Sequence, residues 1–465
     1  MENIEAGEHP LRRTPSTDGQ SEGTRTNATT AWSFPDELGA RWSAYYAPEP
    51  CGWLPDAPSV ETFVVEEMRF TARSNEATDG TEAAASASQG PPEPTAFTLV
   101  HIEKRNLTTT HATARLARAA GINARELSFA GQKDKASRAR QWICVPTGAW
   151  ERLAATLPGG VGPLDADLDI LEVLPVRKRL KLGQLVGNRF AIALSADPSG
   201  VTAPRPPVER VSAWEGEGGA VYPPPEEEPL VAEPRAKPAE LAQPNAPSTA
   251  TLRRRLAALE RLGCPNYFGP QRFRDVTDAA GLEATLRGEL PQRASASGPR
   301  DARFDVSLCQ SIGFNDTLAT RLRHGLGPHI VEGDILRYGQ RSDWRSFEAA
   351  SAEWQDGTRQ WQPTGPLPGY DLDDSAAAAG VLEAASLRDR TDWLKRRKPL
   401  RKLATGTRRP LWLYPEHLTL ETRDGTLWLT FTLPRGSYAS CVVRELFSPR
   451  DGHSVGTPLG LSTSA

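Results

Sequence analysis

Three long segments of this chain are too polar and too rich in Pro, Gly, Ser and Glu to contribute to a hydrophobic core. They are residues 1–45, Asn75–Thr95 and Val201–Thr249. We predict a disordered tail for the first and long solvated insertions for the other two. The remainder of the 465 residues is then enough for two folded domains, because a domain typically takes about 150 residues.

The structured stretches show strand and helix patterns that alternate without a regular βαβ repeat, which favours an α+β fold with a mixed sheet. Strands are predicted at Thr62–Met68, Phe97–Lys104, Leu127–Ala130, Gln141–Val145, Asp169–Leu174, Phe190–Leu194 and Leu427–Leu433. Helices are predicted at Thr108–Ala120, Thr251–Leu262, Ser307–Leu322 and Ala439–Phe447.

Several function classes are disfavoured by what the sequence lacks. It has no run of 18 apolar residues that would span a membrane, and its first 20 residues lack the apolar region of a secretory signal. The five cysteines are widely separated with no CxxC pair, and the seven histidines are scattered. We therefore expect a cytoplasmic protein that uses no metal and no membrane.

The net charge of −3 argues against a uniformly basic nucleic-acid coat protein, but the charges are unevenly distributed. Acidic residues collect in the tail and insertions, as at Glu226–Glu228, while four windows are strongly basic. These windows are Arg125–Arg140, Arg177–Arg189, Arg253–Arg274 and Lys395–Arg409. Each alone is typical of a solvated surface. Together, with aromatic residues interleaved in three of them, they indicate an RNA-binding groove.

The segment ARELSFAGQKDKASRARQWIC, residues 124–144, carries the sharpest chemical signal. A strand runs into Gly131, and the polar loop then presents Asp134 between Lys133 and Lys135. A lone Lys-Asp pair is usually just a turn. Here two neighbouring ammonium groups favour an ionised carboxylate, which can act as a nucleophile or as an electrostatic stabiliser.

This segment and several others resemble the TruD family of tRNA pseudouridine synthases. ELSFAGQKDK with the following QW resembles the catalytic segment of the family, NYFGPQRF resembles its second hallmark, and LKLGQLVGNRF lies between them in the expected order. The other matching segments are Phe63 with Glu67, Lys104 with Asn106 and Thr108, QSIGFN (Gln310–Asn315), EGD (Glu332–Asp334), PTGPL (Pro363–Leu367) and LPRGSYASCVVREL (Leu433–Leu446).

The resemblance implies an α+β pseudouridine synthase fold with a central, mostly antiparallel sheet and an inserted second α+β domain. We expect the catalytic domain at residues 46–295 plus 411–450, the inserted domain at 296–410 and a tail at 451–465. The basic stretch Lys395–Arg409 is expected to meet the RNA backbone.

The resemblance also implies the function, which is conversion of uridine to pseudouridine in tRNA, in the family at position 13, without a cofactor. Asp134 falls on the essential aspartate of the family. The positions expected to bind the uridine are Phe63, Asn266, Tyr438, Phe268 and Lys133, and those expected to bind RNA are Arg177, Lys178, Lys181 and Arg272. A monomer with tRNA as its partner is favoured.

The bland interpretation of these residues stands beside the functional one. Phe63 and Phe268 alone would be read as core residues, Asn266 as a turn residue, and Arg272 as a surface cation or the partner of a buried carboxylate. The sequence also departs from the family pattern. Tyr438 stands where Phe is expected, and Ala139 stands where Thr is usual, a lost hydroxyl that we expect to weaken support for Asp134.

Two other functions remain open at this point. The basic windows would suit a non-catalytic tRNA-binding or tRNA-folding module, although the intact Lys-Asp-Lys loop disfavours it. The same chemistry could also act on another RNA, such as mRNA. How the aspartate acts, whether by attack on the sugar, attack on the base or charge stabilisation, is not decided by the sequence.

Overall fold

The computed structural model describes residues 51–69, 96–197, 248–273, 294–295, 298–299, 302–338, 344–347, 361–387 and 403–447. The predicted tails and the insertion at Asn75–Thr95 lie outside these residues. So do all but the last two residues of the insertion at Val201–Thr249 and the first eight of the stretch Lys395–Arg409. Within the described ranges, no helix is long and apolar enough to cross a membrane.

The strands in chain order are β1 (Trp53–Pro55), β2 (Phe63–Met68), β3 (Phe97–Arg105), β4 (Ser128–Phe129), β5 (Arg138–Pro146), β6 (Gly162–Asp165), β7 (Leu168–Val176), β8 (Gly187–Ala196), β9 (Cys264–Pro265), β10 (Ala294–Ser295), β11 (Gly298–Pro299), β12 (Ile335–Tyr338), β13 (Trp344–Ser346), β14 (Trp361–Leu367), β15 (Thr407–Pro410), β16 (Trp412–Leu413), β17 (Glu416–Arg423) and β18 (Thr426–Pro434). The α-helices are α1 (Thr109–Ala119), α2 (Thr147–Ala154), α3 (Ala250–Leu262), α4 (Ala302–Arg323), α5 (Ala377–Leu387) and α6 (Ala439–Leu446). Short 3₁₀ turns lie at Ala124–Glu126, Pro158–Gly160 and Pro270–Phe273.

A ten-stranded sheet forms the centre of the fold, with the order β17-β18-β8-β2-β5-β3-β7-β6 and with β1 and β4 paired to β8 and β5. All of its pairs are antiparallel except β2 with β5, which places Val64 beside Arg138. The predicted α+β fold with a mostly antiparallel sheet is confirmed. Alternation along β2 turns Phe63, Val65 and Glu67 to the same buried face, as the two-residue period of a strand requires.

Helix α1 covers one face of the sheet. Its N-cap Thr108 accepts a hydrogen bond from the backbone N–H of His111 (3.1 Å), and Gly121 follows its end with φ +66°. Leu116 of this helix packs in a cluster with Val100 and with other apolar residues of β3, β5 and β7. These contacts fix the ends of β3 and β5, between which the candidate site is built.

A four-stranded sheet, β13-β12-β14-β15, accompanies α4 and α5 and falls within the predicted inserted domain. Its apolar residues are not separated from the first sheet. One cluster joins Phe63 and Ile192 of the large sheet to Val306 and Phe314 of α4. The domain boundaries at residues 296 and 410 stay predictions, and the core is continuous across them.

The start of β5 differs from the sequence prediction. The strand begins at Arg138, within the predicted polar loop, rather than at Gln141. Arginines concealed it, because Arg138 and Arg140 flank the buried Ala139, and Arg140 Nε donates to Glu103 Oε2 on β3 at 2.8 Å. Elements with weak or short patterns went unpredicted, and these are α2, α5, β1, β6 and β9 to β17.

Candidate active site

The loop between β4 and β5, residues 130–137, is here called the KD loop. It holds Asp134 half-buried near the start of β5, an interior strand of the large sheet. Two side chains fix its main chain. Lys104 Nζ donates to the carbonyl oxygen of Asp134 at 2.7 Å, and Ser137 Oγ donates to the same oxygen at 2.8 Å. The position of the Asp134 backbone is therefore set from the end of β3 and from within the loop.

Lys104 is fully buried, and its ammonium group also donates to the carbonyl of Leu107 at 2.6 Å. Burial lowers the pKa of Lys104 to about 8, while the charge of Asp134 acts in the opposite direction. The ammonium and the carboxylate are thus electrostatically coupled across the loop. Sequence reasoning noted Lys104 in a motif but gave it no site role. Its position at the end of a buried strand was the available signal.

Lys133, predicted to bind substrate, lies inside the protein. Its ammonium pairs with Glu67 Oε2 at 2.7 Å, and both side chains are at most 5% exposed. Burial raises the pKa of Glu67, and the charge of Lys133 opposes this shift. The backbone N–H of Lys133 donates to Thr109 Oγ1 at 2.9 Å, and that hydroxyl donates to Gln141 Oε1 at 2.9 Å. Lys133 therefore anchors the KD loop to β2 and α1.

The hydroxyl missing at Ala139 is balanced by two others. Ala139 is fully buried within β5. Ser137, two residues earlier, supplies a hydroxyl to the carbonyl of Asp134, and Thr109 supplies one to the backbone of Lys133. The loop therefore keeps side-chain support on both sides of Asp134.

Tyr438 of the closing motif interacts electrostatically with Asp134 of the KD loop. Tyr438 precedes α6, and its pKa is raised mainly by burial, with Arg409 and Arg272 opposing the shift and the charge of Asp134 adding to it. Its ring lies 6.0 Å from that of Phe268. Tyr438 and Phe268 thus form an aromatic pair, and Tyr438 interacts electrostatically with Asp134. Their predicted role in binding the uridine stays a prediction.

The glycine of NYFGPQRF is required by this packing. A Cβ atom added at Gly269 would lie 2.9 Å from Cδ1 of Tyr438 and closer still to the hydroxyl of Ser440. The backbone of Phe268 is held by Asn315, whose Oδ1 accepts from the Phe268 N–H at 2.9 Å and whose Nδ2 donates to its carbonyl at 3.1 Å. Helix α4 therefore sets the position of the Phe268 ring.

Asn266 is 4% exposed, and both ends of its amide are engaged within the protein. Its Nδ2 donates to the carbonyl of Pro410 at 2.9 Å, and its Oδ1 accepts from Arg409 Nη2 at 2.6 Å. The guanidinium carbon of Arg409 also lies 4.4 Å from the ring centroid of Phe268. Asn266 thus belongs to the same group as Phe268 and Tyr438, and Arg409 joins them.

Arg409 packs against the ring of Phe268. The sequence analysis expected the stretch that contains it, Lys395–Arg409, to contact the RNA backbone. Burial lowers its pKa, and its Nη1 donates to the carbonyl of Gly436 at 2.8 Å. Its neighbour Arg408 is buried and pairs with Glu383 on α5. Arg408 does not fit the predicted contact with RNA, because its guanidinium is enclosed by protein groups. Arg408 lies on strand β15, where the alternation of side chains turns it toward the interior.

Phe63 and Arg272 both contact other residues of the protein. Phe63 is 2% exposed, and its ring stacks at 6.2 Å on that of Phe190 within the core. Arg272 donates to the hydroxyls of Ser307 and Ser311 on α4. Their predicted roles in substrate and RNA binding stay predictions, and the contacts described here are structural.

The predicted RNA-binding residues Arg177, Lys178 and Lys181 are exposed on the loop between β7 and β8, residues 177–186, here called the basic loop. This loop touches the KD loop directly, since the backbone N–H of Gly183 donates to the carbonyl of Ala130 at 2.7 Å. Cations suited to phosphate contact therefore lie beside the candidate catalytic loop. Among the described residues, no group of three or more His, Cys, Asp or Glu side chains is arranged to hold a metal ion.

The chain is similar to known proteins over more than half of its length. A family model described as tRNA pseudouridine synthase D (TruD) matches residues 57–205 and 302–446. The matched ranges include Phe63, Lys133, Asp134 and Tyr438. They leave out residues 266–273, which carry NYFGPQRF.

Individual relatives extend the match. The chain is 30% identical over 367 residues to tRNA pseudouridine synthase D of Pseudomonas entomophila (strain L48), covering 74% of this chain and 82% of the relative. It is also 30% identical over 368 residues to the protein of the same name from Pseudomonas putida (strain W619), with the same coverage. A crystal structure from Methanosarcina mazei assigned to TruD aligns with a TM-score of 0.51 and 20% identity, over 86% of this chain and 95% of that one, which bears on the fold alone.

Proposed function

Because the chain belongs to the TruD family of tRNA pseudouridine synthases, we propose that it converts uridine 13 of tRNA to pseudouridine with Asp134 as the catalytic carboxylate. It is a tRNA pseudouridine synthase, an isomerase. The target position, the role of Asp134, the monomeric state and the cytoplasmic location belong to the proposal.

The observation that carries the assignment of Asp134 is the way in which its loop is held. A buried ammonium group, from Lys104, and a hydroxyl, from Ser137, both donate to its main-chain carbonyl. A buried ion pair, Lys133 with Glu67, holds the preceding residue. A catalytic group needs such fixed support, because a displacement of about 1 Å weakens catalysis markedly.

The proposed reaction is an isomerisation whose atoms balance without a co-reactant. The N1–C1′ bond of the uridine breaks, the uracil turns, and a new bond forms between C5 and C1′. C5 loses a proton and N1 gains one, so no oxidant, metal or nucleotide is consumed. Asp134 contributes by attacking the sugar or the base, or by stabilising the charge that develops at the sugar.

The base must leave the RNA stack before this chemistry can occur, which costs a few kcal/mol. In the proposal, Tyr438 and Phe268 offset part of this cost by stacking, at about 1–3 kcal/mol per base. Arg409, which is hydrogen-bonded to Asn266, lies over the ring of Phe268. In the proposal, Phe63 and Lys133 act from buried positions that support the uridine site.

The RNA surface of the proposal begins at the basic loop. Arg177, Lys178 and Lys181 are exposed there and belong to a window without acidic residues. Their contact with phosphates would position the tRNA without reading its sequence. Arg272 is proposed to contact RNA as well, and its guanidinium is held by Ser307 and Ser311 on α4.

The test compares the wild type with Asp134→Asn on tRNA transcripts, with pseudouridine mapped by chemical labelling and primer extension. We expect the rate at uridine 13 to fall about 1,000-fold or more in the variant, while tRNA affinity changes little. Asp424→Asn is the matched control, because Asp424 is exposed in a turn at φ +50°, a conformation that Asn adopts readily.

Each part of the proposal has its own contradiction. Equal activity of the two proteins would exclude Asp134 as the catalyst. Tight tRNA binding with no pseudouridine from the wild type would favour the tRNA-folding alternative. Product at another position, or only in another RNA, would overturn the choice of uridine 13.

A further inference from the structure

The tip of the basic loop exposes a large apolar side chain to solvent. Leu182 is 78% exposed, more than any other large apolar residue in the part of the chain that the structure describes. The neighbouring loop residues Leu180 and Leu185 are turned inward. An isolated exposed leucine needs no explanation by itself, but its location and its setting do.

The backbone beneath Leu182 is held firmly. Gly183 donates its N–H to the carbonyl of Ala130 at 2.7 Å, and its own carbonyl accepts from Arg435 Nη1 at 2.9 Å. The first contact reaches the KD loop four residues before Asp134, and the second reaches the closing motif. The backbone next to Leu182 is therefore fixed relative to the KD loop and to Arg435 of the closing motif.

The loop also closes on itself around this residue. The N–H of Lys181 donates to Gln184 Oε1 at 2.6 Å, and the N–H of Gln184 returns to the carbonyl of Lys181 at 3.1 Å. Gly183 adopts φ +83°, which a side-chain-bearing residue would resist. These contacts hold the backbone on both sides of Leu182, so its side chain projects from a fixed position.

The surroundings of Leu182 carry positive charge. Arg177, Lys178 and Lys181 of the same loop are exposed, and the window Arg177–Arg189 has no acidic residue. Such a surface attracts a phosphate backbone and presents Leu182 to whatever lies between the phosphates. Proteins that distort nucleic acids use this combination, in which cations hold the backbone and an apolar side chain enters a base step.

We propose that Leu182 is a positioning residue that enters the RNA stack and fills the space left by the uridine when it turns into the pocket. The inference rests on the proposed function. In this role Leu182 touches the neighbouring bases of the substrate, lowers the cost of the extrahelical state and has no part in bond breaking. Its effect is then confined to the step that precedes the chemistry.

The experiment uses full-length protein and a tRNA transcript in which the wild type forms pseudouridine. A second transcript carries an abasic nucleotide next to the target, so that stacking on the uridine is already lost. Single-turnover rates at saturating enzyme and tRNA dissociation constants are measured for wild type, Leu182→Ala, Leu182→Met and the control Val381→Ala, which truncates an exposed residue of α5.

For Leu182→Ala we expect the rate on intact tRNA to fall about 10- to 100-fold, the loss that corresponds to removing one buried leucine side chain. The dissociation constant should change less than about threefold, since the cations remain. The abasic transcript should restore most of the rate. Leu182→Met and Val381→Ala should resemble the wild type.

Three results would overturn the inference. One is an unchanged rate for Leu182→Ala on intact tRNA, and another is an equal loss on both transcripts. The third is a loss explained by weaker binding alone. The proposed function has a separate contradiction, which is that the wild type forms no pseudouridine in any tRNA. Any of the three results above, obtained with an active wild type, would overturn only the role of Leu182.

Discussion

The KD loop and the basic loop are alike in sequence and opposite in structure. Both contain glycine and several cations, and they touch through Gly183 and Ala130. In the KD loop, Lys133 is buried in an ion pair. In the basic loop, Lys178 and Lys181 are exposed, and it is the backbone that is tied down. Lys133 therefore helps to hold the shape of its own loop, while Lys178 and Lys181 leave their charges exposed to solvent.

The contrast predicts that the same type of substitution acts on different properties in the two loops. Loss of the buried cation Lys133 from the KD loop should reduce stability and catalysis. Loss of Arg177, Lys178 or Lys181 from the basic loop should reduce salt-dependent RNA affinity and leave the fold unaffected.

Lys133→Met is expected to have the largest effect on stability. It leaves the carboxylate of Glu67 buried without its partner, which typically costs about 3–5 kcal/mol in the free energy of unfolding. Chemical denaturation measures this loss. The double variant Glu67→Leu/Lys133→Met removes both charges and should regain most of the stability.

Activity of the double variant then sharpens the comparison. If pseudouridine formation returns with stability, Lys133 acts by holding the loop. If it does not return, Lys133 also contacts substrate, as the sequence resemblance implied. A single variant as stable as the wild type would remove the contrast between the loops.

The second prediction concerns the pH dependence that Lys104 imposes. Its pKa falls from 10.5 to about 8 on folding, so between these values the unfolded chain binds more protons than the folded one. Stability from this group therefore rises with pH from about 8 to 10.5, and the charged form at neutral pH costs about 3 kcal/mol. The other groups of the protein add their own dependence.

The contribution of Lys104 is isolated by difference. The unfolding free energy of wild type minus that of Lys104→Met should increase across this pH range. Lys135→Met, which alters an exposed cation of the same loop, should parallel the wild type. A flat difference for Lys104→Met would mean that the ammonium beneath Asp134 is not held in a buried environment.

Sequence patterns identified the elements with strong periodicity and the motif that contains Asp134. They did not separate buried from exposed cations. Lys133 and Lys135 are neighbours of the same type, yet only the first is buried, because its partner Glu67 arrives from a strand 66 residues earlier. Arg409 was likewise grouped with surface cations, although β15 carries it to Asn266. Pairing across a sheet is a long-range property that local composition does not contain.

The smallest effects are expected from the basic loop. In the triple variant Arg177→Ala/Lys178→Ala/Lys181→Ala, the free energy of unfolding should stay within about 0.5 kcal/mol of the wild type, because the substitutions are at exposed positions. Affinity for tRNA should weaken, and the slope of log Kd against log salt should fall by about 0.7–0.9 for each phosphate contact that is lost.

The matched control removes exposed cations from helices instead of the loop, as Arg118→Ala/Arg152→Ala on α1 and α2. It should leave the salt slope unchanged. An equal loss of slope in both variants would mean that tRNA responds to overall charge rather than to the basic loop. An unchanged slope in the triple variant would mean that the phosphates bind elsewhere on the protein. The exposed cations of the basic loop would then contribute neither to stability nor to RNA affinity, and the contrast between the two loops would be lost.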